Sequence, residues 1–309
     1  MTSLRQRLEQ GDIVILDGAM GTELQRRGVP MDGIAWSGVA LETHPEAVLA
    51  VHEDYVRAGA EILITNSFAS SRHVLAAAGL GDRVEELNRR AVALARSAID
   101  RARPVHPVWV AGSISSFVPA GDQSRRPSPE AERASYREQS ELLAEAGVDL
   151  LALEMVRDID QTKVMVEAAI ATGLPVWIGF TCRLSDDRRS VLLRGRDAER
   201  PLADCLDAVL AVGDCSAIAV MHSDIASSDS ALDILSVRWP GALACYPESG
   251  EWENPNWLFG DLTPEEFAAA AARWANRGVQ IIGGCCGIGP EHIRLLAERM
   301  AGQRVGGGG

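Results

Sequence analysis

The feature that most constrains the fold of this chain is a repeated pair of elements. Each pair is one strand-like run followed by one helical stretch. Eight short apolar runs rich in valine, isoleucine and leucine recur at fairly even intervals. Runs that are apolar throughout are typical of parallel strands covered on both faces. The predicted strands are 13–16, 61–64, 108–111, 150–153, 176–180, 217–220, 242–245 and 279–282.

Each run precedes a longer segment with the apolar spacing of a helix. Thr263, followed by proline and then by Glu266, has the pattern of a capping box that opens one of these helices. The predicted helices are 45–58, 82–102, 129–146, 159–172, 202–212, 227–237, 264–277 and 290–300.

The chain contains eight strand-then-helix units, and its composition does not change along its length. This pattern predicts an α/β fold, a single-domain (β/α)8 TIM barrel over residues 1–305. The chain has 309 residues, and a barrel of this kind commonly uses about 250. A doubly wound open sheet is the structural alternative. The closing glycines 306–309 are predicted to form a disordered tail outside the fold.

The charge balance argues against a nucleic-acid partner. The chain carries 43 acidic and 30 basic residues, for a formal charge of −13, and no basic block occurs in it. Residues 1–12 lack the apolar core of a secretion signal, and no apolar run reaches the roughly 20 residues of a membrane span. A cytoplasmic protein with no membrane partner is therefore expected, and a homo-oligomer stays open because sequence gives no oligomeric state.

The loops that follow the strands of a β/α barrel build its active site, so polar residues just past each strand are the candidates. Six cysteines in a chain of this length do not form a disulfide framework and are better read as buried thiols or metal ligands. The strand ends supply Asp17 to Thr22, Thr65 to Phe68, Gly112 and Ser113, Glu154, Cys182, His222, Tyr246, and Gly283 to Gly287.

A pair of adjacent cysteines, Cys285 and Cys286, stands between glycines at the end of the last strand. Flanking glycines allow the backbone to bend so that both thiols can reach one zinc ion, whereas the plain structural reading is two small residues in a tight turn. A catalytic zinc needs a third protein ligand. His222 is the best candidate and Cys182 is its competitor.

A zinc ion held by two thiolates and a histidine suits the binding of a substrate thiol and its conversion to a thiolate. Hydrolysis with Glu154 as general base is the competing chemistry. Glu154 is equally suited to binding a substrate ammonium group. The predicted catalytic residues are Asp17 and Glu154. The remaining predicted substrate-binding residues are Gly18, Ala19 and Thr22, in a loop whose backbone amides would bind a carboxylate, together with Asn66, Ser113 and Tyr246.

Taken together, these strand-end segments resemble the homocysteine S-methyltransferase family over nearly the whole chain. The residues that carry the resemblance are Asp17 to Leu24, Thr65 to Phe68, Gly112 and Ser113, Glu154, Tyr246 and Pro247, and Gly283 to Gly287. The resemblance implies a zinc-bound homocysteine thiolate that attacks an activated methyl group, with Glu154 holding the ammonium group of the amino acid and the loop at Asp17 positioning it.

One departure from the family pattern falls in the metal site. The family places an Asn-Cys pair at the end of the sixth strand, and this chain has Met221 and His222 there. If His222 replaces the cysteine, the site loses one negative charge, so a bound thiolate should be less electron-rich and have a lower pKa. In the alternative reading, the zinc is lost or weak and the barrel serves another acceptor or reaction.

The function predicted from these residues is transfer of a methyl group from a sulfonium or ammonium donor, such as S-methylmethionine, S-adenosylmethionine or betaine, to homocysteine. Another thiol acceptor, a zinc hydrolase and a non-catalytic barrel that binds a thiol or amino acid are the alternatives. Aromatic faces attract methylated cations, so possible walls of the donor site are Met20, Phe68, Trp252, Trp257 and Phe259.

Overall fold

Eight parallel strands form the centre of the computed structural model, which describes residues 2–195, 200–300 and 302–305. They are β1 (Val14–Ile15), β2 (Ile62–Ile64), β3 (Trp109–Ser115), β4 (Leu150–Val156), β5 (Val176–Phe180), β6 (Ala217–Met221), β7 (Ala242–Tyr246) and β8 (Val279–Ile282). Hydrogen bonds join them in the order β1–β8–β7–β6–β5–β4–β3–β2.

The sheet closes on itself through a parallel bridge between Leu16 and Ile62, which joins β1 to β2. An open doubly wound sheet would instead leave two edge strands unpaired. The predicted (β/α)8 barrel is therefore confirmed, and the open-sheet alternative is wrong.

One long helix follows each strand and packs outside the barrel, as predicted. These helices are α1 (Pro45–Arg57), α2 (Val84–Ala102), α3 (Pro129–Glu145), α4 (Ile159–Ile170), α5 (Leu202–Leu210), α6 (Ile225–Arg238), α7 (Pro264–Asn276) and α8 (Pro290–Met300). The capping box at the start of α7 is present, since Thr263 accepts from the Glu266 amide and the Glu266 side chain accepts from the Thr263 amide. Shorter helices cover Leu4–Glu9, Met20–Arg26, Ala40–Thr43 and Arg72–Ala77.

Strands β3 and β4 run further than the apolar pattern predicts. Their pairing continues through polar residues, with Ser113 opposite Ala152 and Ser115 opposite Glu154. A criterion based on apolar runs counts such residues as loop, although here they are buried inside the barrel. Ser113 and Glu154 therefore stand on strands, which fixes their side chains more firmly than loops would.

Two hairpins, which the sequence pattern does not predict, extend the carboxyl ends of the barrel. Cys182–Leu184 pairs with Val191–Leu193 after β5, and Gly250–Glu253 pairs with Asn256–Phe259 after β7. Both lie at the end of the barrel where β/α barrels place their active sites.

Two predictions that concern the ends of the chain stay predictions. The predicted tail, 306–309, lies outside the described residues, and the single-domain span of 1–305 stays a prediction. Among the described residues, every helix is too short or too polar to cross a membrane.

Candidate active site

A cavity of about 230 Å³ opens at the carboxyl ends of the strands. Of the residues predicted from the sequence, those that line it are Gly18, Ala19, Asn66, Glu154, His222, Tyr246, Cys285 and Cys286. Asp17, Thr22 and Ser113 are buried beside the cavity without forming its wall. The structure thus brings the predicted residues of six strand ends together at one site.

Three side chains at one edge of this cavity have the spacing of metal ligands. The ligand atoms of His222, Cys285 and Cys286 all lie within 4.8 Å of one another. Cys285 Sγ is 3.7 Å from His222 Nδ1 and 4.0 Å from Cys286 Sγ. A tetrahedral zinc ion with bonds of about 2.3 Å to sulfur sets two sulfurs about 3.8 Å apart. These three residues fit a zinc ion with little movement.

Hydrogen bonds hold the backbone of the cysteine pair on two sides. The Cys285 amide donates to Pro247 O, and Cys286 O accepts from the Ser249 amide, both at 2.8 Å. On the other side, the Gly287 amide donates to Thr22 Oγ1 at 3.0 Å. Thr22 was predicted to bind substrate, but its hydroxyl is used to hold this loop.

Gly287 is the glycine that this turn requires. It has a φ of +84°, and a Cβ at this position would lie 2.0 Å from Ser249 O. Any other residue would be strained by its backbone and by this contact. Close packing and backbone conformation together therefore fix the direction of the two thiols.

His222 is presented by an unusual backbone conformation. It directly follows β6 with a φ of +46°, in the left-handed region that residues other than glycine rarely adopt. Its amide donates to Tyr246 O at 3.3 Å. Such strain persists only where the surroundings hold it, and it is common at functional sites.

A buried carboxylate, Glu248, lies against the imidazole of His222. Its Oε2 atom is 2.7 Å from Nδ1, outside the direction of a hydrogen bond from the ring, and accepts no hydrogen bond from the described part of the chain. Its Oε1 atom accepts from Arg194. Burial opposes the charge on His222, but Glu248 and Cys285 together raise the pKa of the imidazole to about 9. Sequence reasoning missed Glu248, which lies two residues beyond β7 and shows no pattern that points back to β6.

The two cysteines differ in their electrostatics. The pKa of the Cys285 thiol is lowered by the neighbouring Cys286 thiol and by His222, against the effect of burial. The pKa of Cys286 is raised by Cys285 and by burial. Without a metal, Cys285 is thus the thiol that ionises first.

Cys182, the competing third ligand, lies outside the group formed by His222, Cys285 and Cys286. It begins the first hairpin, where its amide donates to Ser223 Oγ at 2.8 Å. Burial raises the pKa of its thiol, which disfavours the thiolate that a metal would bind. The geometry therefore favours His222 over Cys182.

Glu154 presents a buried carboxyl group to the cavity. The Ser113 hydroxyl donates to its Oε2 atom. Burial raises the pKa of Glu154 to about 7, although the hydrogen bonds from Ser113 and Tyr246 act in the opposite direction. Ser113 thus orients Glu154 and does not face a substrate directly.

A second carboxyl group, Asp17, lies close enough to Glu154 for the two charges to repel each other. Burial raises the pKa of Asp17 well above its usual range, and Glu154 contributes to the shift. Its Oδ2 atom accepts from the Ile64 amide at 2.9 Å, whereas Oδ1 has no hydrogen-bond partner in the described structure. A cationic ligand group would offset the repulsion between these two buried acids.

The loop after β1 forms one wall of the cavity at close range. The Ala19 amide donates to Ile288 O at 3.0 Å, and the Tyr55 hydroxyl donates to Ala19 O at 2.8 Å. The Ala19 amide is therefore already used and does not fit the predicted contact with a carboxylate. Asn66, on the neighbouring wall, exchanges hydrogen bonds with Ser37 through both ends of its amide.

Aromatic side chains cover the opposite part of the cavity wall. Trp36 makes edge contacts with Phe68 and Trp252, with ring centroids 6.2 and 5.4 Å apart, and Phe68 packs against Phe117 at 5.7 Å. Met20 and Trp257 also line the cavity, as expected. Phe259 does not, because its ring lies under the guanidinium of Arg26.

Comparisons with known proteins identify the family of this chain. The sequence model of the family described as homocysteine S-methyltransferase matches residues 14–300. The homocysteine S-methyltransferase of Escherichia coli is 31% identical, over 96% of this chain and 98% of its own length. The selenocysteine methyltransferase of Astragalus bisulcatus is 29% identical, over 95% and 94%.

A solved structure gives the same result for the fold. The homocysteine methyltransferase MmuM of Escherichia coli, in its metallated form, superimposes with a TM-score of 0.78 at 31% identity. The match covers 96% of this chain and 99% of that structure. The chain belongs to the homocysteine S-methyltransferase family, whose members are methyltransferases with a (β/α)8 barrel.

Proposed function

We propose that this protein transfers a methyl group from a sulfonium or ammonium donor to the thiol of homocysteine, giving methionine. The observation that carries the proposal is the placement of three metal-ligand side chains and a buried carboxyl group around one cavity. Family membership supports methyl transfer over the hydrolase and the non-catalytic barrel.

Zinc is the proposed cofactor, held by His222, Cys285 and Cys286. Thiolate and imidazole ligands suit zinc, and three protein ligands leave a fourth position for a substrate. A bound zinc ion would lower the pKa of a substrate thiol and keep it nucleophilic near neutral pH. The spacing of the three ligand atoms supports this assignment.

Glu154 is the proposed partner of the acceptor's ammonium group. Its carboxyl group is buried, faces the cavity and is oriented by Ser113. A charge-assisted hydrogen bond from an ammonium group would replace the missing solvent and stabilise the carboxylate. Asp17, close enough for its charge to interact with that of Glu154, has one buried oxygen with no hydrogen-bond partner among the described residues.

The aromatic wall is the proposed site for the methyl-bearing cation of the donor. Trp36, Phe68 and Trp252 offer ring surfaces that stabilise a sulfonium or quaternary ammonium ion. In the transfer, the acceptor sulfur forms a bond to the methyl carbon. The bond between that carbon and the donor heteroatom breaks, and its electron pair neutralises the donor cation.

A product assay tests this function. The zinc-loaded protein is incubated with homocysteine and, separately, with S-methylmethionine, betaine or S-adenosylmethionine, and methionine is measured by mass spectrometry. Methionine should form with at least one donor, and Glu154→Gln should raise the KM for homocysteine. Absence of methionine with all three donors would contradict the proposal.

A selenol acceptor is the second candidate because one relative is a selenocysteine methyltransferase. Homocysteine and selenocysteine both carry an ammonium group that Glu154 could bind. A competition between homocysteine and selenocysteine at equal concentration separates the two candidates. We expect homocysteine to be methylated faster, and preferred methylation of selenocysteine would reassign the acceptor.

A further inference from the structure

The side chain of Met221, the last residue of β6, lines the cavity but has no part in the chemistry proposed above. The residue is only 1% exposed. Its sulfur atom accepts two hydrogen bonds, from the Met155 amide of β4 at 3.2 Å and from the Thr181 hydroxyl at 3.3 Å. Because β5 lies between β6 and β4, this side chain crosses a whole strand to reach Met155.

Strand β4 contains a bulge at the point that Met221 contacts. The pairing of β4 with β5 shifts by one residue between Leu153 and Val156. Glu154 and Met155 therefore oppose a single residue of β5. Successive side chains of a regular strand point to opposite faces, yet Glu154 and Met155 both line the cavity. Bulges re-aim side chains in this way and are common beside active sites.

The bulge places Met155 in an unusual backbone conformation. Its φ of +57° lies in the left-handed region that residues other than glycine rarely adopt. Hydrogen bonds hold the residue at both ends, since its amide donates to the Met221 sulfur and its carbonyl oxygen accepts from the Ser116 hydroxyl. A buried amide without an acceptor is costly, so the sulfur stabilises the bulge.

Gly179, the residue of β5 opposite the bulge, leaves the space that the Met221 side chain occupies. A Cβ on Gly179 would lie 2.8 Å from Met221 Cγ and 2.9 Å from the Tyr246 hydroxyl oxygen. Any side chain at this position would displace the thioether from Met155. The glycine, the thioether and the bulge therefore pack as one unit across three strands.

Glu154 is the first residue of the bulge, so the direction of its carboxyl group depends on the backbone there. On the side of β3, Glu154 O accepts from the Ser116 amide at 3.2 Å, and the Ser113 hydroxyl donates to Oε2. On the side of β5, Met221 holds the next amide, that of Met155. Without the sulfur, this amide must find another acceptor, and the carboxyl group of Glu154 moves with its backbone.

We propose that Met221 is a positioning residue for the acceptor, because its sulfur holds the bulge of β4 that presents the Glu154 carboxylate to the acceptor's ammonium group. This inference rests on the proposed function for the role of Glu154. It gives a role to the first of the two residues, Met221 and His222, at which this chain departs from the family pattern.

Direct binding tests the inference without requiring turnover. The probes are L-norleucine and hexanoate, which share the carboxylate and the alkyl chain and differ in the ammonium group. Calorimetry on the zinc-loaded protein, at a pH above the pKa of Glu154, gives the ratio of the two dissociation constants, which is the preference for norleucine. Met221→Leu keeps most of the side-chain volume and removes the acceptor of the Met155 amide, so this preference should fall by about 5-fold or more.

Matched variants show whether the effect passes through Glu154. Met165→Leu makes the same substitution at a fully buried methionine of α4 that does not line the cavity, and it should leave the preference within about 2-fold of the wild type. Glu154→Gln should abolish the preference, and Met221→Leu added to it should change nothing more. A further loss in the double variant would show that Met221 acts on the ligand independently of Glu154, and would overturn the inference.

The outcomes separate this inference from the proposed function. If methionine is formed but Met221→Leu keeps the full preference for norleucine, the inference is wrong and the function stands. If Met165→Leu lowers the preference as much as Met221→Leu does, the effect is a general loss of packing and the inference is again wrong. If no methionine forms but the preference depends on Met221 through Glu154, the inference stands alone.

Discussion

The Oε2 atom of Glu248 lies 2.7 Å from Nδ1 of His222, so the histidine of the metal cluster has a buried negative charge beside it. An imidazole in place of a thiolate removes one negative charge from such a site, and Glu248 supplies one nearby. Arg194 holds the other oxygen of the carboxylate in turn. Cys285 Sγ lies 3.7 Å from the same nitrogen, so the negative charge of Glu248 acts at the ring atom that faces the cysteine.

Glu248→Gln removes this buried negative charge from beside the proposed metal site, so zinc binding should weaken by about 10-fold or more. Competition with a chromophoric chelator measures this affinity. Glu251→Gln is a matched control, because Glu251 is exposed on the second hairpin. Equal zinc affinity in Glu248→Gln and wild type would show that the carboxylate does not support the metal.

Removing individual ligands should identify the metal set. Zinc content, measured by plasma mass spectrometry after dialysis, should fall sharply in His222→Ala and Cys285→Ala. Cys182→Ala should retain full zinc, since Cys182 lies outside the cluster. Full zinc in His222→Ala combined with loss in Cys182→Ala would reverse this assignment.

Binding of the acceptor's ammonium group should depend on pH near neutrality. The pKa of Glu154 is raised by burial to about 7, and only the carboxylate attracts an ammonium ion. Below pH 7 the acid is protonated and must lose its proton before it binds, so affinity should fall by up to about 10-fold per pH unit. L-norleucine is a suitable probe because it has the ammonium group and no thiol. Glu154→Gln should bind norleucine weakly, with no bend in affinity near pH 7.

The turn that carries the cysteines should tolerate no side chain at Gly287. Gly287→Ala introduces a Cβ at 2.0 Å from Ser249 O and forces alanine into a left-handed conformation. We expect a loss of at least about 2 kcal/mol in the free energy of unfolding, together with weaker zinc binding. Urea denaturation measures the first effect. Gly28→Ala also has a positive φ but no close neighbour, so it separates backbone strain from the clash.

The aromatic wall should stabilise the bound donor cation and leave binding of the acceptor unchanged. Phe68→Leu keeps most of the volume and removes the ring, so the affinity for S-methyl-L-methionine should fall by about 2- to 30-fold, the range of a cation–π contact. The KM for homocysteine should stay the same. Equal losses for donor and acceptor would point to a general disturbance of the cavity.

The sequence was sufficient to predict the barrel because its strands are continuous apolar runs and its helices have amphipathic spacing. The ends of β3 and β4 were placed too early, since Ser113 and Glu154 are polar residues inside strands. The sequence pattern does not predict the two hairpins at the barrel mouth, because their strands are short and no long apolar run marks them.

The cluster of His222, Cys285 and Cys286 could be predicted because its residues lie just past strand ends, and the strand ends of a barrel meet at one place. Glu248 and Arg194 could not, because their positions depend on how the loop after β7 and the first hairpin fold back over the mouth. Thr22 is the opposite case, a residue that the sequence predicts to bind substrate and that has another role in the structure. It belongs to the predicted segment, yet its hydroxyl holds Gly287 and its side chain does not line the cavity.

X-ray absorption at the zinc edge tests the central claim most directly, because it counts the sulfur and nitrogen atoms around the metal before and after homocysteine is added. We expect two sulfurs and one imidazole nitrogen from the protein, and a third sulfur once homocysteine is present. Three sulfurs in the free protein, or no additional sulfur with homocysteine, would contradict the account.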